Sequence, residues 1–247
     1  MRPFKVPKAI ADMIKVYPNY KDIIDSANIA GTAELYAISR LWLSEGIPFA
    51  FRQLPGLYEI IRDWIAQRLE IHPKELTLIG SARQGSSLAP LPKTGKPFGS
   101  ESDLDWSAIS KSLFEKCKTE YLSWVADYKI NIVHPRNPTE KKYWDDNLIM
   151  CHKALQRGFI DPNKIPTWDR YPVTQLVGNT MWLIKAKCQE SEGAPSFKKA
   201  TIRIYRDWHS FINQLATNLK YTAEKYDKNA DIPKNERIQP ITPVDGV

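Results

Sequence analysis

The sequence predicts an α+β fold (α/β in the broad sense): a small mixed β-sheet flanked by helices, followed by a helical C-terminal region. Three observations predict it. Short β-type runs occur at residues 75–79, 103–109 and 129–133. Before and between them, apolar residues recur at helical spacing. Beyond residue 137 only helical periodicity remains.

Residues 20–45 read as helical, with Ile23, Ile24, Ala27 and Ile29 followed by Leu35, Ile38, Leu41 and Trp42. Residues 46–51 break that pattern as a loop. Pro55 opens the next helix, whose stripe is Leu57, Ile60, Ile61, Trp64, Ile65 and Leu69, and Pro73 stops it. The run 75–79 leads into Gly80-Ser81, and Trp106 to Ile109 finish a second strand. Residues 111–127 return to helical spacing through Leu113, Phe114, Cys117, Tyr121, Leu122 and Val125. Residues 129–133 alternate and then meet Pro135, which predicts a third strand. Helices are predicted over 139–156, 172–189 and 197–220, the last with Ile202, Tyr205, Trp208, Ile212, Leu215 and Leu219 on one side. From Asp227 the chain is polar, Pro-containing and without period, which predicts a disordered tail. The expected organisation is 1–137 as a core with N-terminal helices, 138–226 as a helical region and 227–247 as the tail.

At 247 residues the chain can bury a substantial core. No apolar run approaches the ~20 residues that span a bilayer, which argues against a membrane protein. The N-terminus lacks the apolar stretch of a signal peptide. Cys117, Cys151 and Cys188 are odd in number and lack metal-ligand spacing. They are expected to be reduced thiols of a cytoplasmic protein. Residues 1–110 are nearly balanced, with 13 basic and 12 acidic residues, whereas 111–247 hold 22 and 16. A basic C-terminal half suits an anionic substrate or acceptor, or is an ordinary basic surface.

The chemistry concentrates between residues 79 and 106. An apolar run ends in Gly80-Ser81, a further glycine stands at 85, and Ser102-Asp103-Leu104-Asp105-Trp106 opens the next strand. Strand side chains alternate, so Asp103 and Asp105 share a face while Leu104 points to the core. Two carboxylates on one face can hold one or two hard divalent cations, which can activate a hydroxyl and neutralise a leaving pyrophosphate. Gly80 allows close backbone approach to a phosphate, and Ser81 adds a hydroxyl donor.

Residues 76–109 resemble the polymerase-β-type nucleotidyltransferase superfamily, in particular its minimal, template-independent bacterial members. The resemblance implies a nucleoside triphosphate donor (NTP or dNTP) and Mg2+ or Mn2+ on Asp103 and Asp105. It also implies that Gly80 and Ser81 contact the triphosphate. Arg83, at the expected start of a helix, is a further candidate for a phosphate contact, or faces solvent. Two departures stand out. The link from Ser81 to Asp103 is longer than usual and carries Lys93 and Lys96. These lysines could close over the triphosphate or guide an acceptor, or belong to a solvated insertion. The family's third acid has no obvious counterpart: Asn131 occupies the expected place. Asp127, Asp145, Asp146 and Asp161 are nearby alternatives, Asp161 having a strand-like approach.

The cluster Lys185, Lys187, Lys198, Lys199, Arg203 and Arg206, with Tyr205 and Trp208 interleaved, invites a phosphodiester strand. The aromatics fit the apolar stripe better and are expected in the core. The resemblance thus implies transfer of a nucleoside monophosphate to a hydroxyl. The acceptor or product would be a nucleic acid or nucleotide signal, as in phage defence. A tRNA- or protein-modifying toxin, with a partner protein encoded alongside, and an inactive nucleotide-binding protein are the alternatives.

Overall fold

In the computed structural model, which describes residues 6–11, 13–166 and 169–230, the helices outnumber the strands but the strands organise the molecule. The N-terminal part contains α1 (Lys8–Ala11), α2 (Tyr20–Ile29), α3 (Thr32–Leu41) and α4 (Pro55–Leu69). Then come β1 (Leu76–Ile79), the one-turn α5 (Gly80–Gln84), β2 (Leu104–Ile109) and α6 (Lys111–Lys129). The remainder is α7 (Pro138–Gln156), β3 (Phe159–Ile160), α8 (Pro172–Gln189), β4 (Ala200–Tyr205) and α9 (Trp208–Ala230). The predicted class is therefore the observed one: a mixed α+β fold with a helical C-terminal region.

The four strands form one sheet in the order β1-β2-β4-β3. β1 and β3 run antiparallel to their neighbours, and the central pair β2–β4 is parallel. Residues 110–199 make the long crossover that a parallel pair requires. Because β4 pairs with β2 along its whole length, the sheet draws strands from both sides of residue 137.

Alternation gives the sheet two different faces. Leu76, Leu78, Leu104, Trp106, Ala108, Ile202 and Ile204 pack beneath α4, α6 and α8. Ile109, Phe159 and Tyr205 face α2, α3 and α9. Tyr58 of α4 stacks on Trp106, with ring centroids 5.8 Å apart.

Four local expectations need correction. The helical segment 20–45 is two helices, because Ala30 is extended and Gly31 starts α3 afresh. Residues 129–133 are no strand but the end of α6 and a turn, with Asn131 at φ +58°. There the backbone N–H groups of Ile132 and Val133 donate to the Asp127 carbonyl, and Ile130 and Ile132 are 66% and 50% exposed. Only Val133, at the end of the run, is buried. The helix expected over 197–220 is β4 followed by α9. Its Ile202–Tyr205 spacing is helical, but pairing to β2 makes the segment a strand and sends the two side chains to opposite faces. Finally, α9 continues through Asp227 to Ala230; the expected tail beyond it, residues 231–247, lies outside the described residues.

The three cysteines are buried and unbonded. Burial pushes the Cys117 thiol up to about 12 and those of Cys151 and Cys188 up to about 11, so all three are protonated at neutral pH. Among the described residues no helix is long and apolar enough to cross a membrane.

Candidate active site

The site lies at the end of the sheet where β1 leaves and β2 and β4 enter. Ile79 pairs with Asp105, and Asp105 pairs in turn with Thr201. These three side chains belong to the face that α9 covers only in part.

β1 ends abruptly. Gly80 has φ +67°, a left-handed conformation that side chains disfavour. A Cβ placed there would stand 3.3 Å from Oδ2 of Asp105. The glycine therefore leaves open the space directly above that carboxylate oxygen. α5 continues for five residues and closes at Gly85, also left-handed, whose N–H donates to the Ser81 carbonyl at 2.8 Å. A helix of one turn supplies little dipole, so Gly80 and Ser81 matter as a tight turn rather than as a helix terminus.

The structure brings Gly80, Ser81 and Asp105 together along one cleft of about 490 Å³. Its opposite wall is α9, through Leu215, Asn218 and Leu219. A second cleft of about 340 Å³ begins at the other side of Asp105 and runs to Asp161, Lys164 and Arg203. Asp105, together with Ile79, is thus the wall common to both. Asp103 lies just before β2, with Lys199 Nζ 3.8 Å from its Oδ2. Oδ1 of Asp105 accepts a 2.6 Å hydrogen bond from the Thr201 hydroxyl. Burial pushes the Asp105 carboxyl above its ordinary pKa. The Thr201 hydrogen bond pulls it back, the Asp103 charge raises it again, and Arg203 and Lys199 lower it.

Arg83 is not brought into this site. It is 2% exposed, and its Nη1 donates to the Ile47 carbonyl at 2.5 Å. Burial lowers its pKa. It braces the segment before α4 and faces neither solvent nor cleft. Lys93 and Lys96 are exposed and line neither cleft. Their loop is fastened at its base by the Ser86–Pro97 bridge and by Thr222 donating to the Leu88 carbonyl at 2.8 Å.

Of the four candidate third acids, Asp127 is engaged by Arg170 and Tyr171, and Asp145 by Lys141 and Tyr128. Asp146 is exposed on α7. Only Asp161 reaches the clefts, directly after β3. It is held in a fork by Arg203, with Nε–Oδ1 at 2.7 Å and Nη2–Oδ2 at 3.2 Å. Lys164 stands 3.8 Å from the same carboxylate.

The basic cluster disperses. Lys199 and Arg203 belong to the site, Lys187 covers the Trp64 ring at 5.3 Å, and Arg206 pairs with Asp207 at 2.9 Å. Tyr205 is fully buried as expected, but Trp208 is 50% exposed. Sequence reasoning missed Thr201 altogether. The alternation Thr201-Arg203-Tyr205 against Ile202-Ile204 was the available signal, obscured because the same residues fit a helical stripe.

Oδ2 of Asp105 is a hard donor beside an open glycine turn, a position that fits a divalent cation such as Mg2+ or Mn2+, and Asp103 brings a second carboxylate two residues before it but lines neither cleft. Among the described residues no group of three or more His, Cys, Asp or Glu side chains is arranged to hold a metal. Compared with protein-family models, with curated proteins and with solved structures, the chain matches none.

Proposed function

We propose that this protein is a metal-dependent, template-independent nucleotidyltransferase of the polymerase-β type. It would transfer a nucleoside monophosphate from an NTP or dNTP to a hydroxyl. The observation that carries the reading is the apposition of Gly80 and Asp105 at the junction of two clefts. A donor and an acceptor need separate approaches to one reacting phosphorus, and a carboxylate shared by both clefts meets that need.

In this reading the donor lies in the larger cleft, its base against Leu215 and Leu219 of α9. Its triphosphate lies over Gly80, where the missing side chain admits it, and the Ser81 hydroxyl donates to a phosphate oxygen. Asp103 and Asp105 would hold Mg2+ or Mn2+, which supplies Lewis-acid stabilisation of the phosphate charge. Thr201 keeps Asp105 turned towards Gly80. The acceptor hydroxyl enters from the Asp161–Arg203 side and attacks the α-phosphorus. A new P–O bond forms, the α–β phosphoanhydride bond breaks, pyrophosphate leaves with the electron pair, and the hydroxyl proton passes to solvent.

Lys164 and Arg203 border the acceptor side and Lys199 stands beside Asp103, which favours an acceptor that carries its own phosphates. A growing oligonucleotide or nucleotide signal of the kind made in phage defence meets that description, and so does a tRNA end. With Asp161 engaged by Arg203, no free third carboxylate lines the two clefts among the described residues, the observation that favours the rival reading, a nucleotide-binding protein without turnover.

The test is incubation with each labelled NTP and dNTP and Mg2+ or Mn2+, with and without tRNA, beside Asp103→Ala/Asp105→Ala. Pyrophosphate release with a product ladder, lost in the double variant, is the expected result. Labelled tRNA or protein would select the toxin reading. Nucleotide binding without turnover would select the inactive one.

A further inference from the structure

The donor atoms at this site limit the number of cations it can take. A hard divalent cation needs six or more oxygen ligands, and a two-cation centre, with ions about 3.5–4 Å apart, needs carboxylates shared between them. The Thr201 hydroxyl, 2.6 Å from Oδ1, fixes the Asp105 carboxylate so that Oδ2 is the oxygen facing Gly80. The residue in register with Asp105 on the adjoining strand is Thr201, so an acid is missing where a second cation would need one. The next carboxylate along that face, Asp161, is forked by Arg203 and flanked by Lys164. A guanidinium is never neutral in a protein, so a permanent positive charge stands on the acceptor side of Asp105.

We infer that the site takes a single divalent cation, held by Asp103 and Oδ2 of Asp105. Thr201 positions Asp105, and the Arg203–Asp161 pair fills the place of a second cation. The inference rests on the nucleotidyltransferase reading and narrows it: activation of the acceptor hydroxyl falls to side chains and solvent rather than to a second cation. Arg203 would be retained for its charge and Thr201 for its hydrogen bond.

The experiment is a Mn2+ titration of the full chain monitored by electron paramagnetic resonance, alone and with each of the non-hydrolysable α,β-methylene NTPs. One Mn2+ per chain with an uncoupled spectrum, lost in Asp103→Ala, is expected. Thr201→Val should weaken Mn2+ binding about tenfold, as loss of a supporting hydrogen bond does, and Thr201→Ser should restore it. Two Mn2+ per chain with a coupled spectrum would overturn the single-cation inference and leave the nucleotidyltransferase reading standing. No Mn2+ beyond what the analogues bind themselves would overturn both. Unchanged affinity in Thr201→Val would remove Thr201 from its positioning role.

Discussion

The two faces of the strand pair β2–β4 are made by alternate residues of the same short segments, yet they differ in nearly every physical respect. On one face Leu104, Trp106, Ile202 and Ile204 are sealed under α4, α6 and α8. On the other, Asp105, Thr201 and Arg203 occupy the end of the sheet that α9 leaves open, and only farther along do Tyr205 and Ile109 become core. A rigid apolar side thus supports a polar side whose groups hold one another by hydrogen bonds. Packing and chemistry are segregated by strand period, one residue apart. The sealed face should answer to loss of volume, and the open face to loss of charge partners.

The largest effect is expected on the sealed face. Trp106→Ala empties a fully enclosed site beneath the Tyr58 ring and should cost about 3–5 kcal/mol, measured by urea denaturation. A loss below about 1 kcal/mol would mean that this face is not the structural support.

The open face should respond next. Arg203→Met leaves the Asp161 carboxylate without its fork and should cost about 2–3 kcal/mol, as loss of a charged hydrogen-bonded partner does. Arg203→Met/Asp161→Leu should recover most of that stability, since replacing both partners is far less costly than stranding one. A double variant no better than the single would show that Arg203 contributes through packing instead.

The smallest effect carries the opposite sign. The folded-state pKa of Asp105 is raised, chiefly by burial. Its contribution to stability is therefore fully present below the unfolded carboxyl pKa and is lost as pH rises through the folded value. Asp105→Asn keeps an oxygen for the Thr201 hydroxyl and removes the charge. In the metal-free protein it should melt slightly higher than wild type at neutral pH, with the difference vanishing in acid. A variant that melts lower at pH 7 would mean that the carboxylate stabilises the fold, contrary to the contrast between the two faces.

Much of the frame was legible along the chain. Pro55, Pro138 and Pro172 each open a helix near the position where periodicity begins, because proline suits a first turn and not an interior. The short runs before Gly80 and after Asp103 form strands, and Leu104 and Asp105 take opposite faces as alternation requires. The failures have a common cause. Residues 129–133 alternate without any strand to pair with, and residues 200–205 fit a helical stripe but lie beside β2. Local period cannot say whether a neighbour exists. Arg83 shows the same limit: three residues beyond Gly80 its side chain turns inward to Ile47.

The chain's own order of residues was enough to indicate a mixed fold and to set Asp105 and Leu104 on opposite sides. Those features arise from backbone geometry over a few residues, which any folded context preserves. That Thr201 takes one oxygen of Asp105, that Arg203 closes on Asp161, and that α9 walls a cleft over Ser81 came from contacts across roughly 40 to 140 residues of chain. Such contacts depend on strand order and on which face each helix covers, and burial of the whole core, rather than local preference, sets both.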